Sequence, residues 1–136
     1  MSVVHLIDDD AEKDLAMLVS ALTQIKLFHW AARDFSKHKT LDELHDDLVE
    51  GVDRFVESYL GCKGRVPFGI TASTLETTQP VVTFDKKTVL SFLSKLHDDL
   101  KNMLKREYLS DEPGLENIVQ DMLGHVEQGT YLYSLN

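Results

Sequence analysis

Four side chains stand out for the chemistry their types and spacing allow: His38, Asp42, Asp53 and Glu57. Imidazole nitrogens and carboxylate oxygens are among the commonest protein ligands for metal ions. His38 and Asp42 share one face of a helix, four residues apart, as do Asp53 and Glu57. His38 and Asp53 are about 22 Å apart along the helix, so one chain cannot bring them to a single ion. Two copies of the helix packed antiparallel across a two-fold axis can, giving two equivalent sites per dimer. His29 is a further candidate. Its place in an apolar stripe reads as a packed, satisfied histidine, and its closeness to the turn leading to His38 reads as a ligand.

The helix that carries these residues has two faces. Leu41, Leu44, Leu48, Val52, Phe55 and Tyr59 repeat at helical spacing and form a core stripe. At about 100° per residue, His38, Asp42, His45, Val49, Asp53 and Val56 fall on a different side. A surface in which histidines and acids alternate with Val49, Val56 and Leu60 suggests a contact with a partner.

The remaining elements follow from periodicity and capping. A first helix is expected from near Asp10 to near Arg33, after a tail over 1–9, with Leu15, Leu18, Val19, Leu22, Ile25, His29 and Ala32 on one stripe. Asp34 is a plausible N-cap for the second helix, Thr40 a later alternative, and Gly61 and Gly64 end it. Cys62 is expected just past that end. Residues 61–84 read as a crossover, with a helical turn near Ser73–Thr77 and a short strand over Val81–Phe84. Asp85 caps the third helix, whose stripe is Val89, Phe92, Leu93, Leu96, Leu100 and Met103. Ser110 or Asp111 is expected to cap the fourth, with Pro113 in its first turn and Leu115, Ile118, Val119, Met122, Val126 and Tyr133 inward. Short link, long link, short link is the connectivity of ferritin-like bundles. The expected fold is therefore all-α: a single domain over 1–136, a four-helix bundle with a long crossover between the second and third helices.

Composition narrows the function classes. The chain has 136 residues, 43% hydrophobic, with 14 Lys and Arg against 23 Asp and Glu. The formal charge of −9 repels phosphate backbones, so DNA binding is not expected. One cysteine excludes an intrachain disulfide. No apolar run approaches the roughly 20 residues a bilayer span needs, and no basic n-region opens the chain. No membrane partner and a cytoplasmic location are expected.

The segment His29–Trp30, then His38, Asp42, Asp53 and Glu57, resembles the ferroxidase signature of the Dps family of miniature ferritins, closest to short Dps-like proteins of bacteriophages. The stretch from Asp111 to Leu135 is similar to that family's last helix. The resemblance implies iron bound between subunits, with His29, His38 and Asp42 from one chain and Asp53 and Glu57 from its neighbour. It implies oxidation of Fe(II), with iron storage or oxidative-stress protection in a hollow homo-oligomer, or binding of another divalent metal. Imidazole and carboxylate ligands suit iron with open positions for an oxidant. The chain departs from the family in a shorter step from His29 to His38, in Asp8–Asp10 where many members carry a lysine-rich arm, and in the composition of its crossover.

Two other readings compete. One is a ferritin-like helical scaffold that no longer oxidises iron and serves in protein contacts. The other is an acidic mimic of nucleic acid, suggested by Asp8–Asp10, Asp46–Asp47 and Asp98–Asp99. Trp30 is expected in packing or near the metal, Tyr108, Tyr131 and Tyr133 in the core or an interface, and His97 and His125 on the surface or in satisfied contacts.

Overall fold

The computed structural model describes residues 2–64 and 68–135, with the backbone alone over 2–8. It is all-helical. Helices α1 (Ser2–Ala31), α2 (Phe35–Lys63), α3 (Gly69–Thr77), α4 (Lys86–Met103) and α5 (Pro113–Ser134) are joined by loops and one short 3-10 turn at Glu107–Leu109. No strand occurs among the described residues. α1 packs on α2, α2 on α5 and α5 on α4, and α1 also meets α3, α4 and the 3-10 turn.

α1 begins at Ser2, well ahead of the expected start near Asp10. No glycine or proline stands between Met1 and Gly51 to interrupt a helix. The turn into α2 is tight: α1 ends at Ala31, and Asp34 caps α2 by accepting a hydrogen bond from the Lys37 N–H at 3.2 Å. The α2 stripe read from periodicity is buried throughout. α2 ends at Lys63, so Gly61 and Cys62 belong to its last turn. Gly64, at φ 93, supplies the left-handed conformation that stops it. Gly51 lets α2 approach α5, since a Cβ there would stand 2.5 Å from Met122 Cγ.

The crossover differs from its expected form because its partners lie far away in sequence. α3 is a nine-residue helix rather than a single turn. The buried Glu12 side chain of α1 accepts from the N–H groups of Ile70 and Thr71 at its start, and the Thr71 hydroxyl donates to the Glu12 carbonyl. Val81–Phe84 is extended but not a strand. The Gln24 side chain stands where a neighbouring strand would, donating to the Val81 carbonyl at 3.1 Å and accepting from its N–H at 2.6 Å.

Asp85 caps α4 as expected, accepting from the Thr88 N–H at 2.8 Å, and those hydrogen bonds hold its carboxyl below the usual range. The cap of α5 is a correction. Glu112, not Ser110 or Asp111, stands at the N-cap, makes no side-chain cap bond, and instead pairs with Lys63 at 3.5 Å. Pro113 at the first helical position moves the boundary to the residue before it. Asp111 adopts φ 62 in the turn.

Between the ends, Leu41, Leu93 and Leu100 are wholly enclosed; truncating any of them to alanine costs ~2–5 kcal/mol. Phe28 joins the core through edge contacts with Phe84 and Phe92.

Candidate metal centre

The tight α1–α2 turn brings three of the five candidate residues together. The rings of His29 and His38 stack with centroids 3.8 Å apart. His29 Nδ1 lies 2.8 Å from the His38 carbonyl oxygen, and His38 Nδ1 lies 2.9 Å from the His29 carbonyl oxygen. A carbonyl only accepts, so both Nδ1 atoms carry the proton and donate. Each neutral ring is thereby held as the tautomer whose Nε2 keeps a lone pair. Metal-binding histidines are oriented in the same way, by a hydrogen bond from the other ring nitrogen.

Asp42 lies beside His29. Its Oδ1 lies 3.7 Å from His29 Nε2 and 3.5 Å from Lys26 Nζ. His29 is buried, as its apolar stripe requires, while Asp42 is about half exposed. The arrangement is a carboxylate and a buried imidazole at a surface, with an ammonium paired to the same oxygen.

Asp53 and Glu57 lie on the same helix and are exposed. Along α2, Asp53 lies about 22 Å and Glu57 about 28 Å from His38. Among the described residues, no group of three or more His, Cys, Asp or Glu side chains in one chain is arranged to hold an ion. His29, His38 and Asp42 lie near one another at the α1–α2 turn, and Asp53 and Glu57 lie remote from them on α2.

Other parts of the α2 surface behave differently from expectation. Val56 and Leu60 are largely covered by their own chain, where they line a small apolar cavity with Ala11, Leu15 and Phe68. Val49 alone of the three is exposed. His45 is mostly covered, and its Nδ1 is buried with no hydrogen-bond partner; the nearest acid, Asp46, is 3.8 Å away. Burial, then the Lys26 charge, lowers its pKa, against the opposing pull of Asp46 and Asp42.

Trp30 is not packed in the core of the chain: it is 66% exposed, beside His29 in sequence. One residue past the inward-facing His29, it is turned about 100° away from the core. Tyr108 and Tyr133 are buried, whereas Tyr131 is exposed. His97 is satisfied by Glu127 at 2.8 Å and His125 pairs with Asp47 at 3.3 Å. Exposed Cys62 sits in the α2 terminus, where burial of its thiol, then Glu112, raises its pKa.

Periodicity alone missed several buried polar groups. Asp14 accepts two hydrogen bonds from Arg106 and one from the Tyr108 hydroxyl at 2.6 Å. Glu12 and Gln24 hold the crossover, and Lys26 holds Asp42. A signal was present: Asp14 lies in register with Leu18, Ala21, Ile25 and Phe28, a charge within an apolar stripe.

Comparison with known proteins gives two matches. A model of the family of unknown function DUF5856 matches residues 29–133, a span that contains all five candidate residues. An uncharacterized 14.6 kDa protein in the mobD-ri intergenic region of Enterobacteria phage T4 is 25% identical over 127 residues, covering 92% of this chain and 88% of the phage protein. No solved structure matches.

Proposed function

We propose that this chain, which belongs to the DUF5856 family, is a ferritin-like iron-binding protein of Dps type that collects and oxidises Fe(II) at sites shared between two copies. The observation that carries the reading is the reciprocal lock between His29 and His38 beside Asp42. It orients two imidazoles for ligation and leaves them short of a full ligand set. Asp53 and Glu57, exposed at the right place on the same helix, supply the missing carboxylates when α2 of a second copy packs antiparallel. The order of the long helices, two antiparallel pairs joined across α3, supports a ferritin-like bundle. No helix among the described residues is long and apolar enough to cross a membrane, in keeping with a cytoplasmic protein.

The chemistry asked of these residues is modest. Carboxylates favour Fe(III) over Fe(II), so a carboxylate-rich site eases loss of an electron to peroxide or dioxygen. Two Fe(II) ions reduce one hydrogen peroxide to two waters, taking up two protons. Gathering Asp42, Asp53 and Glu57 also repels the carboxylates from one another until a cation arrives, so metal should tighten the dimer.

Fe(II) uptake and oxidation by His38→Ala, by Asp53→Ala and by their equimolar mixture test the reading. Each variant alone loses both sites of the dimer. A mixed dimer regains one intact site, so the mixture recovers part of the activity. Wild-type oxidation in both variants removes the proposal. A stable dimer that takes up no metal supports the scaffold reading instead.

A further inference from the structure

The large apolar side chains left exposed are not scattered. Trp30, Phe35, Val82, Phe84, Tyr131 and Leu135 all belong to one end of the bundle; Val49 is the exception among the described residues. Three contacts bring the four chain segments together there. Lys37 Nζ lies 5.3 Å over the Tyr133 ring, Lys86 Nζ donates to the Ser134 carbonyl at 3.2 Å, and Phe84 meets Phe28 edge-on. Trp30 and Phe35, 66% and 76% exposed, flank the α1–α2 turn. Aromatic side chains grouped with arginine and lysine make the kind of patch that anchors a partner surface.

Charge says what kind of partner. Arg33, Lys37, Lys39, Lys86 and Lys87 surround this end against Asp34 and Asp85, five cations to two carboxylates. The end is therefore net +3 in a chain of −9, leaving −12 on the rest. Asp34 and Asp85 are moreover engaged as helix caps. The complementary surface is on the same molecule. The outer face of α2 exposes Glu43, Asp47 and Glu50, and the adjoining α5 exposes Asp121. His125 and Arg54 join the two helices across that flank.

We propose that the basic apolar end is a self-association surface that seats on the acidic α2–α5 flank of a second copy. Two like ends cannot meet across a two-fold axis without setting +3 against +3, so the contact is heterologous, end on flank. It is separate from the α2 two-fold contact, which uses the His38–Asp42–Asp53 side of the helix, and it does not depend on metal. The chain's overall negative charge works against a nucleic acid or an anionic bilayer as occupant.

Sedimentation velocity on the full chain, over a wide concentration range, tests this with two charge-reversed variants. Arg33→Glu with Lys87→Glu inverts the end; Glu43→Lys with Glu50→Lys inverts the flank. Each variant alone is expected to associate roughly tenfold or more weakly than wild type, and their equimolar mixture to recover the association, since the reversed end fits the reversed flank. Trp30→Ser with Phe35→Ser, on its own, is expected to lose association as well. The proposal is overturned if wild type forms nothing larger than the two-fold pair, if the reversals leave assembly unchanged, or if the mixture does not recover it. A blue shift of Trp30 fluorescence on phosphatidylserine vesicles or single-stranded DNA, with no concentration-dependent assembly, also overturns it. Fe(II) uptake retained in the Glu43→Lys with Glu50→Lys variant separates this contact from the shared metal site.

Discussion

His29 and His38 bind each other's main chain: each ring donates through Nδ1 to the other residue's carbonyl, at 2.8 and 2.9 Å, while the rings stack. This one relationship closes the α1–α2 turn and presents both Nε2 atoms. It therefore serves folding and, on the proposed reading, also orients both rings for ligation. His38→Ala is expected to cost ~1–3 kcal/mol of stability in urea denaturation, because the His29 carbonyl loses a donor and the stacked ring is removed. The same substitution should abolish Fe(II) binding, and a variant that unfolds no more easily than wild type would show that the lock carries no structural load.

Lys26 occupies the space near Asp42 that a cation at this site would share. Both groups are partly exposed, so the ion pair is worth ~0.2–1 kcal/mol after solvent screening. Lys26→Met is expected to raise affinity for a divalent ion by roughly 1.4- to fivefold, the factor those energies represent. Titration with Co(II) or Fe(II), followed by absorption or calorimetry, measures it. Weaker binding in Lys26→Met would mean that the ammonium organises Asp42 rather than competes at it.

The Asp14 carboxylate is held by Arg106 and Tyr108 in the core. Burial and the neighbouring Asp14 charge push the Tyr108 hydroxyl far above its ordinary range, so it stays a donor at all accessible pH. Asp14→Ala leaves the buried Tyr108 hydroxyl unmatched and Arg106 to water, and is expected to cost more than loss of the hydroxyl alone. Tyr108→Phe removes one donor and should cost ~1–3 kcal/mol. Denaturant midpoints check both. Equal losses in the two variants would contradict a network centred on the carboxylate.

His45 adds a pH dependence of definite sign. Its folded-state pKa is lowered from the ordinary 6.5, first by burial and then by Lys26. Below that ordinary value the unfolded chain binds more protons than the folded one. Stability from this residue is therefore full above pH 6.5 and declines as pH falls toward the folded-state value. His45→Gln should flatten that part of the stability–pH curve, read as urea midpoints across mildly acidic pH. An unchanged slope would assign the dependence to other groups.

Much of the fold was legible from local rules. The α2 stripe, the Asp34 and Asp85 caps and the inward faces of α4 and α5 rest on periodicity and on hydrogen bonds between near neighbours, and all are present. What local rules missed depends on groups distant in sequence. Glu12 makes α3 a full helix from 58 and 59 residues away, and Gln24 replaces a strand partner for Val81 from 57 residues away. Val56 and Leu60 looked like partner-facing residues until the chain's own α1 and Phe68 were seen against them.

The sequence by itself determined helix type, helix faces and the types of side chain able to meet a metal, because these follow from 3.6-residue periodicity and from side-chain chemistry. Only tertiary structure decided that His29 turns onto His38, that Lys26 shares Asp42, and that the exposed aromatic residues gather at one basic end. Those outcomes depend on how helix ends meet in space, and no spacing within a single helix encodes that meeting.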